Sequence, residues 1–376
     1  MSTAPAVRPF LALLSAAQAI EQHDADRLRT ALDSAPARLL RRIAARHRCL
    51  GYMYRGILEN KLRSPAALAF IEALREHRAK AAMQAFAARK QLNGILDGLE
   101  KAHIPFVLLK GAARLFREDV EAEWNLMFDF DILVETSASG AAVAILEALG
   151  YRSRPEAIDA ARHHHLAPLE PPHFGLAVEL HTALAPPYVL STKTGWEFCQ
   201  PYFEKVRMAE REALCLDATG SAIHLMIHGA GIRRLHDAIM LARSLRADPT
   251  LCEKLQAIAY AERWGSVELQ GVVLLGARIA GLPAAARLQA ERYLKWVMRR
   301  EHLSPYVRVR CQFVDAWYCN GGRAWGPATR AALPDLYEPN RSAWLVPFLY
   351  ASRLVGRIAT SAYAAAVAPS ARNLST

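Results

Sequence analysis

Phe106-Val107-Leu108-Leu109-Lys110-Gly111-Ala112 and, further on, Asp129-Phe130-Asp131-Ile132-Leu133-Val134-Glu135 are the stretches on which the reading of this chain turns. Both are apolar runs of strand length, and the second carries two carboxylates separated by a single residue. On a β-strand, residues i and i+2 point to the same face about 6.6 Å apart along the axis. Asp129 and Asp131 can therefore converge on one hard divalent cation such as Mg²⁺ while Phe130 packs behind them. Lys110-Gly111-Ala112 follows the first strand and opens a short helix predicted to run to Arg117. Its first backbone N–H groups make a natural phosphate cradle, Gly111 allows close approach, and Lys110 adds a charge where its side chain turns toward the site.

A centre that transfers phosphoryl or nucleotidyl groups with two metal ions needs a third carboxylate. Leu176-Ala177-Val178-Glu179-Leu180-His181 offers Glu179 inside an apolar run, where an unpaired charge is costly unless it faces a cation or an open cleft. Outward from these motifs the pattern falls into three regions. A helical region over 1–101 contains a long helix, or two, from Pro65 to Glu100. An α/β core over 102–217 has strands predicted at Phe106–Leu109, Phe130–Val134 and Leu176–His181. Its helix at Ala141–Leu149 is stopped by Gly150. A second helical region spans 218–376.

The chain has 376 residues, 52% hydrophobic and 22% charged, ample for a large core. A formal charge of +11 favours an anionic partner without choosing one. Six cysteines with neither CxxC pairs nor scaffold density point to a reducing cytoplasm. The apolar segment Phe10–Ile20 has the size of a signal-peptide core, yet its helical spacing continues through Leu28 and Leu32, so it reads as a buried helix. Arg27 to Arg48 reads as a pair of amphipathic helices divided near Pro36 with a solvated basic face. It is not expected to be a nucleic-acid surface, since no aromatic residues interleave the arginines, and the alternative role for the tract is to help hold an acidic substrate. The apolar tail Ala343–Ala368, broken by Pro347, Arg353 and Arg357, is not a spanning helix; contact of that tail with a membrane surface stays open.

Other constellations carry less. His163-His164-His165 cannot all face one ion on a regular element, and reads as a polar loop lining the cleft. His224 and His228 share a helix face at i, i+4, but Leu225 stands where a HExxH zinc motif needs Glu. They read as packed histidines with Asp237 as a hydrogen-bond partner. The phosphate loop GxxxxGK[ST], the dinucleotide fingerprint GxGxxG and the nucleophile elbow GxSxG are all absent.

Taken together, Ile104-Pro105-Phe106-Val107-Leu108-Leu109-Lys110-Gly111-Ala112, Asp129-Phe130-Asp131-Ile132-Leu133-Val134, Leu149-Gly150-Tyr151 and Val178-Glu179-Leu180-His181 resemble a family: the uncharacterised bacterial nucleotidyltransferases of the DNA polymerase β-like superfamily. The resemblance extends over roughly Lys80 to Thr250 and includes His224, His228 and Asp237. It implies an α+β fold, a small twisted mixed sheet flanked by helical regions. It also implies two Mg²⁺ ions held by Asp129, Asp131 and Glu179, nucleotide phosphates near Lys110, Gly111 and Ala112, and transfer of an NMP group from an NTP to a hydroxyl of an unidentified acceptor. The family pattern has an Arg at the position of Asn125 and a small residue at that of Phe128. These departures prompt the alternative of a nucleotide- or partner-binding pseudoenzyme.

Overall fold

The structure, a computed structural model, describes residues 7–117, 124–153, 164–185, 194–208, 210–232, 234–262 and 267–282. All lie within one compact unit, Met1–Val297. The expected tail Ala343–Ala368 falls outside the described residues, as does His163.

Four helices, α1 (Val7–Glu21), α2 (Ala25–Asp33), α3 (Ala37–Arg46) and α4 (Leu50–Glu59), precede α5 (Pro65–Lys101). The apolar segment Phe10–Ile20 is a buried helix, with Phe10, Leu13 and Ile20 in the interior. Pro36 divides α2 from α3, as the pattern predicts, because its fixed φ suits the position just outside a helix. The Pro65–Glu100 stretch forms one helix. Ser64 caps it by accepting a hydrogen bond from the Ala67 N–H, and Pro65 occupies the first turn, where no N–H is needed. Its 37 residues make it about 55 Å long at 1.5 Å per residue.

Among the described residues seven strands follow, with helices between them: β1 (Phe106–Leu108), α6 (Lys110–Phe116), β2 (Asp129–Val134), α7 (Ser139–Ala148), β3 (Arg152–Ser153), β4 (Leu169–Glu170), β5 (Ala177–His181), α8 (Trp196–Cys199), β6 (Phe203–Met208) and β7 (Arg211–Leu216). They form one mixed sheet in the order β3-β4-β5-β2-β1-β7-β6. In it β2 runs parallel to β5 and antiparallel to β1. The fold is thus α+β with a mixed sheet, as expected. The three expected strands are present with ends shifted by about one residue. Leu109 leaves the strand to become the residue preceding α6, and Gly150 ends the α7 region with a φ of +91°. The β6–β7 hairpin and the two-residue strands β3 and β4 have no counterpart in the sequence reading. The short pairs carry no period to detect, and β6 is largely exposed.

Alternation along β2 builds the core. Phe130, Ile132 and Val134 pack with Ala85, Ala88, Leu92 and Leu96 of α5 and with Leu146 of α7. The opposite face of β2 carries Asp129 and Asp131. Beyond the sheet lie α9 (Ala218–Ile232), α10 (Leu235–Ala247), α11 (Leu251–Ala261) and α12 (Val267–Ala280). The helices at the two ends of this unit meet: buried Glu21 of α1 pairs with Arg243 of α10 at 3.0 Å and accepts from the Tyr52 hydroxyl of α4 at 3.1 Å. Among the described residues, no helix is long and apolar enough to cross a membrane.

Candidate active site

The parallel register of β2 on β5 sets Asp131 directly opposite Glu179 and Asp129 opposite Ala177. Since side chains alternate, Asp129, Asp131, Glu179 and His181 all project from one face of the sheet, into a cleft of about 670 Å³. The three carboxylates singled out from sequence are therefore brought to one place. Strand pairing supplies what sequence spacing alone leaves free, the approach of Glu179 to the aspartate pair.

Asp131 lies at the centre. Its Oδ1 accepts from Lys110 Nζ at 2.8 Å and from His181 Nε2 at 2.7 Å. His181 is fully buried. Burial, outweighing the Asp131 hydrogen bond, lowers its pKa, so the ring is neutral with its proton on the nitrogen that faces Asp131. Burial raises Asp131, but Lys110 and His181 outweigh it and hold the carboxyl well below the usual range. Asp131 is an anion with two donors on one oxygen. Asp129 behaves oppositely: burial, then the charges of Asp131 and Glu179, push it up to about 6 against the pull of Lys110 and Arg48. One ammonium does not neutralise three carboxylates that close together, and their mutual repulsion falls on Asp129.

Ligand atoms of Asp131, Glu179 and His181 lie within 4.8 Å of one another. His181 stands opposite Leu133, two residues along the strands from the Asp131–Glu179 pair. Its hydrogen bond supports Asp131 from within the protein, whereas Glu179 is partly exposed. Sequence reading did not assign His181 a role, although its i+2 spacing from Glu179 on one strand was the signal.

Of the residues read as a phosphate cradle, Gly111 and Lys110 line the cleft, whereas the side chain of Ala112 is buried in the core. Lys110 adopts a φ of +41°, uncommon for a residue with a side chain, at the point where β1 turns into α6. That backbone turn and the ion pair together direct its ammonium to Asp131. Met127 packs over Gly111, where a Cβ would stand 3.0 Å from the methionine methyl.

The rest of the cleft comes from the flanking helices. Arg48, at the end of the basic N-terminal tract, places its guanidinium 4.3 Å from the centroid of the exposed Phe128 ring. The basic tract, read chiefly as a solvated face, thus contributes one cation to the cleft wall. His164 and His165 line the cleft as expected, and His164 packs edge-on to His181 at 5.1 Å between centroids. Across the cleft, His228 Nδ1 of α9 lies 3.1 Å from Asp237 Oδ1 of α10, the partnership the sequence suggested.

The family profile described as "uncharacterised nucleotidyltransferase" matches residues 33–278 of the chain. Among solved structures, the antibiotic-resistance factor ANT(2'')-Ia is similar at 16% sequence identity and a TM-score of 0.32. That match covers 57% of this chain and 97% of that one. No curated protein matches.

Proposed function

The chain belongs to the uncharacterised nucleotidyltransferase family, and from that membership we propose that it transfers an NMP group from an NTP to a hydroxyl of a small molecule, peptide or protein, with Asp129, Asp131 and Glu179 holding two Mg²⁺ ions. The observation that carries the reading is the Asp131–Glu179 pairing across parallel strands with Asp129 one pleat away on the same face. The donor set fits hard divalent cations: carboxylate oxygens, an excess of negative charge, and a cleft rather than a closed cage. Bound there, the ions would lower the pKa of the acceptor hydroxyl and neutralise charge on the departing pyrophosphate.

The protein's own side chains have distinct tasks in this scheme. Asp131, kept ionised by Lys110 and oriented by His181, is the fixed ligand. Asp129, nearer the mouth and easily protonated, becomes a full ligand when a cation offsets its neighbours. Glu179 is positioned to take the acceptor proton or to complete the metal shell. The first turn of α6 at Gly111 and the Arg48 guanidinium give the triphosphate its contacts. The location proposed is the cytoplasm, where NTP is available.

Calorimetric titration of Mg²⁺-ATP and Mg²⁺-GTP, paired with pyrophosphate release in the presence of cell extract, tests this. Wild type is expected to bind and release; Asp129→Asn, Asp131→Asn and Glu179→Gln each lose release by at least about 100-fold while staying folded. Near-normal release in any of the three rejects the assignment. Binding without release by wild type favours the pseudoenzyme reading, for which Phe128 under Arg48 at the cleft mouth is the specific motive.

A further inference from the structure

Two glutamines of α5 do something that a solvent-facing helical residue does not. The Gln84 amide forms a two-way pair with the backbone of Met127: Nε2 donates to the Met127 carbonyl at 2.9 Å, and Oε1 accepts from the Met127 N–H at 2.8 Å. Gln91 repeats the arrangement on Leu176, donating to its carbonyl at 2.7 Å and accepting from its N–H at 2.9 Å, while the same Nε2 also donates to the Tyr151 hydroxyl at 2.9 Å. Each side chain thus imitates a neighbouring strand for one residue.

The residues so held stand just upstream of the two carboxylate strands. Met127 precedes Asp129 by two positions, and Leu176 immediately precedes β5, which carries Glu179. Gln84 and Gln91 are seven residues apart, two helical turns, and so lie on one stripe of α5 about 10.5 Å apart along its axis. Beside that stripe, buried Ala81, Ala85 and Ala88 let the helix backbone come close enough for a glutamine to span the gap. Gly175 has the matching adaptation on the other side, since a Cβ there would stand 2.7 Å from Gln91 Oε1.

Resting on the metal site proposed above, we infer that Gln84 and Gln91 are positioning residues that set the height of β2 and β5 relative to each other, and hence the separation of Asp129 and Asp131 from Glu179. A slip of either strand by a fraction of a residue would leave the fold intact and pull the ligand oxygens apart. Unlike general stabilisation, this role ties each glutamine to one strand: Gln84 acts through Asp129 and Asp131 on β2, Gln91 through Glu179 on β5.

Mn²⁺ binding to the full chain, followed by electron paramagnetic resonance or calorimetry, tests it with no acceptor needed. Gln84→Met and Gln91→Met are each expected to weaken Mn²⁺ binding about tenfold. In a Glu179→Gln background, where the offset from the aspartates no longer matters to the site, both changes should add little, whereas in Asp129→Asn, with Asp131 and Glu179 still facing each other, both should keep most of their effect. Gln84→Glu, which retains the acceptor for the Met127 N–H, should recover part of the affinity. Should a methionine variant fail to fold, Gly175→Ala displaces the Gln91 amide without altering α5 and is expected to match Gln91→Met. Unchanged affinity in folded variants, or losses that add equally in every background, overturns the positioning role and leaves the metal site standing. Failure of wild type to bind Mn²⁺ overturns both.

Discussion

Asp131 Oδ1 accepts from an ammonium and an imidazole at once, which leaves the carboxylate little rotational freedom and directs its remaining lone pairs outward. His181→Asn removes one of the two donors and is expected to lower Mn²⁺ affinity and pyrophosphate release by about 10- to 100-fold, as loss of a supporting hydrogen bond does at metal sites. A variant with wild-type affinity would show that Lys110 alone suffices. At this scale the sequence was informative where chemistry follows from short spacing. Asp129 and Asp131 share a face because a strand has period two, and Glu179 stood out as a charge in an apolar run. His181 obeyed the same spacing rule, but a lone histidine in a strand reads as packing. Lys110 read as a phosphate ligand because nothing local reveals a partner twenty-one residues away. Gln84 and Gln91 were illegible, since a glutamine on a helix looks like surface until the strand it grips is in place.

At the scale of elements, periodicity located β1, β2, β5 and α5, and a partner on the next helix was correctly inferred for His228. Asp237 at the start of α10 is fully buried, with His228 and His236 on the same oxygen at 3.1 and 3.7 Å. Burial raises its pKa, but the two histidines outweigh burial and hold it below the usual carboxylate value. A depressed carboxylate contributes stability that is present above its unfolded pKa of about 4 and is lost as pH falls toward the folded value. Asp237→Asn is therefore expected to cost about 1–3 kcal/mol at pH 7, the range for losing hydrogen bonds to a buried charged group. The gap from wild type should narrow below about pH 4. Urea unfolding at pH 7 and pH 3.5 measures both; a gap independent of pH would mean that the neutral amide replaces the carboxylate without loss. Sheet order was not legible from pattern, because the β2–β5 and β1–β7 pairings join segments far apart in the chain.

For the whole molecule, the basic charge indicated an anionic partner, which a triphosphate satisfies, but it did not show that helices from both ends of this unit close one cleft. Arg48 enters from the N-terminal helices and His228 and Asp237 from those after the sheet. Glu21 fastens the two groups through Arg243 and Tyr52. Glu21→Ala removes the buried carboxylate shared by Arg243, Arg246 and Tyr52 and should lower unfolding free energy by about 1–3 kcal/mol, read by chemical denaturation. A loss under about 1 kcal/mol would mean the contact behaves like an exposed pair. The sheet and the N-terminal helices share α5, whose first half buries Phe70 and Leu74 and whose second half buries Ala85, Leu92 and Leu99, with exposed Arg78, Ala79 and Lys80 between. That helix therefore works as a shaft with a phase. One residue inserted at Ala79 would twist the two halves about 100° out of step and swing both glutamines off their strands. Four would restore the phase to within about 40° while lengthening the shaft by about 6 Å. Length variation in this protein is thereby confined, along α5, to near-whole turns.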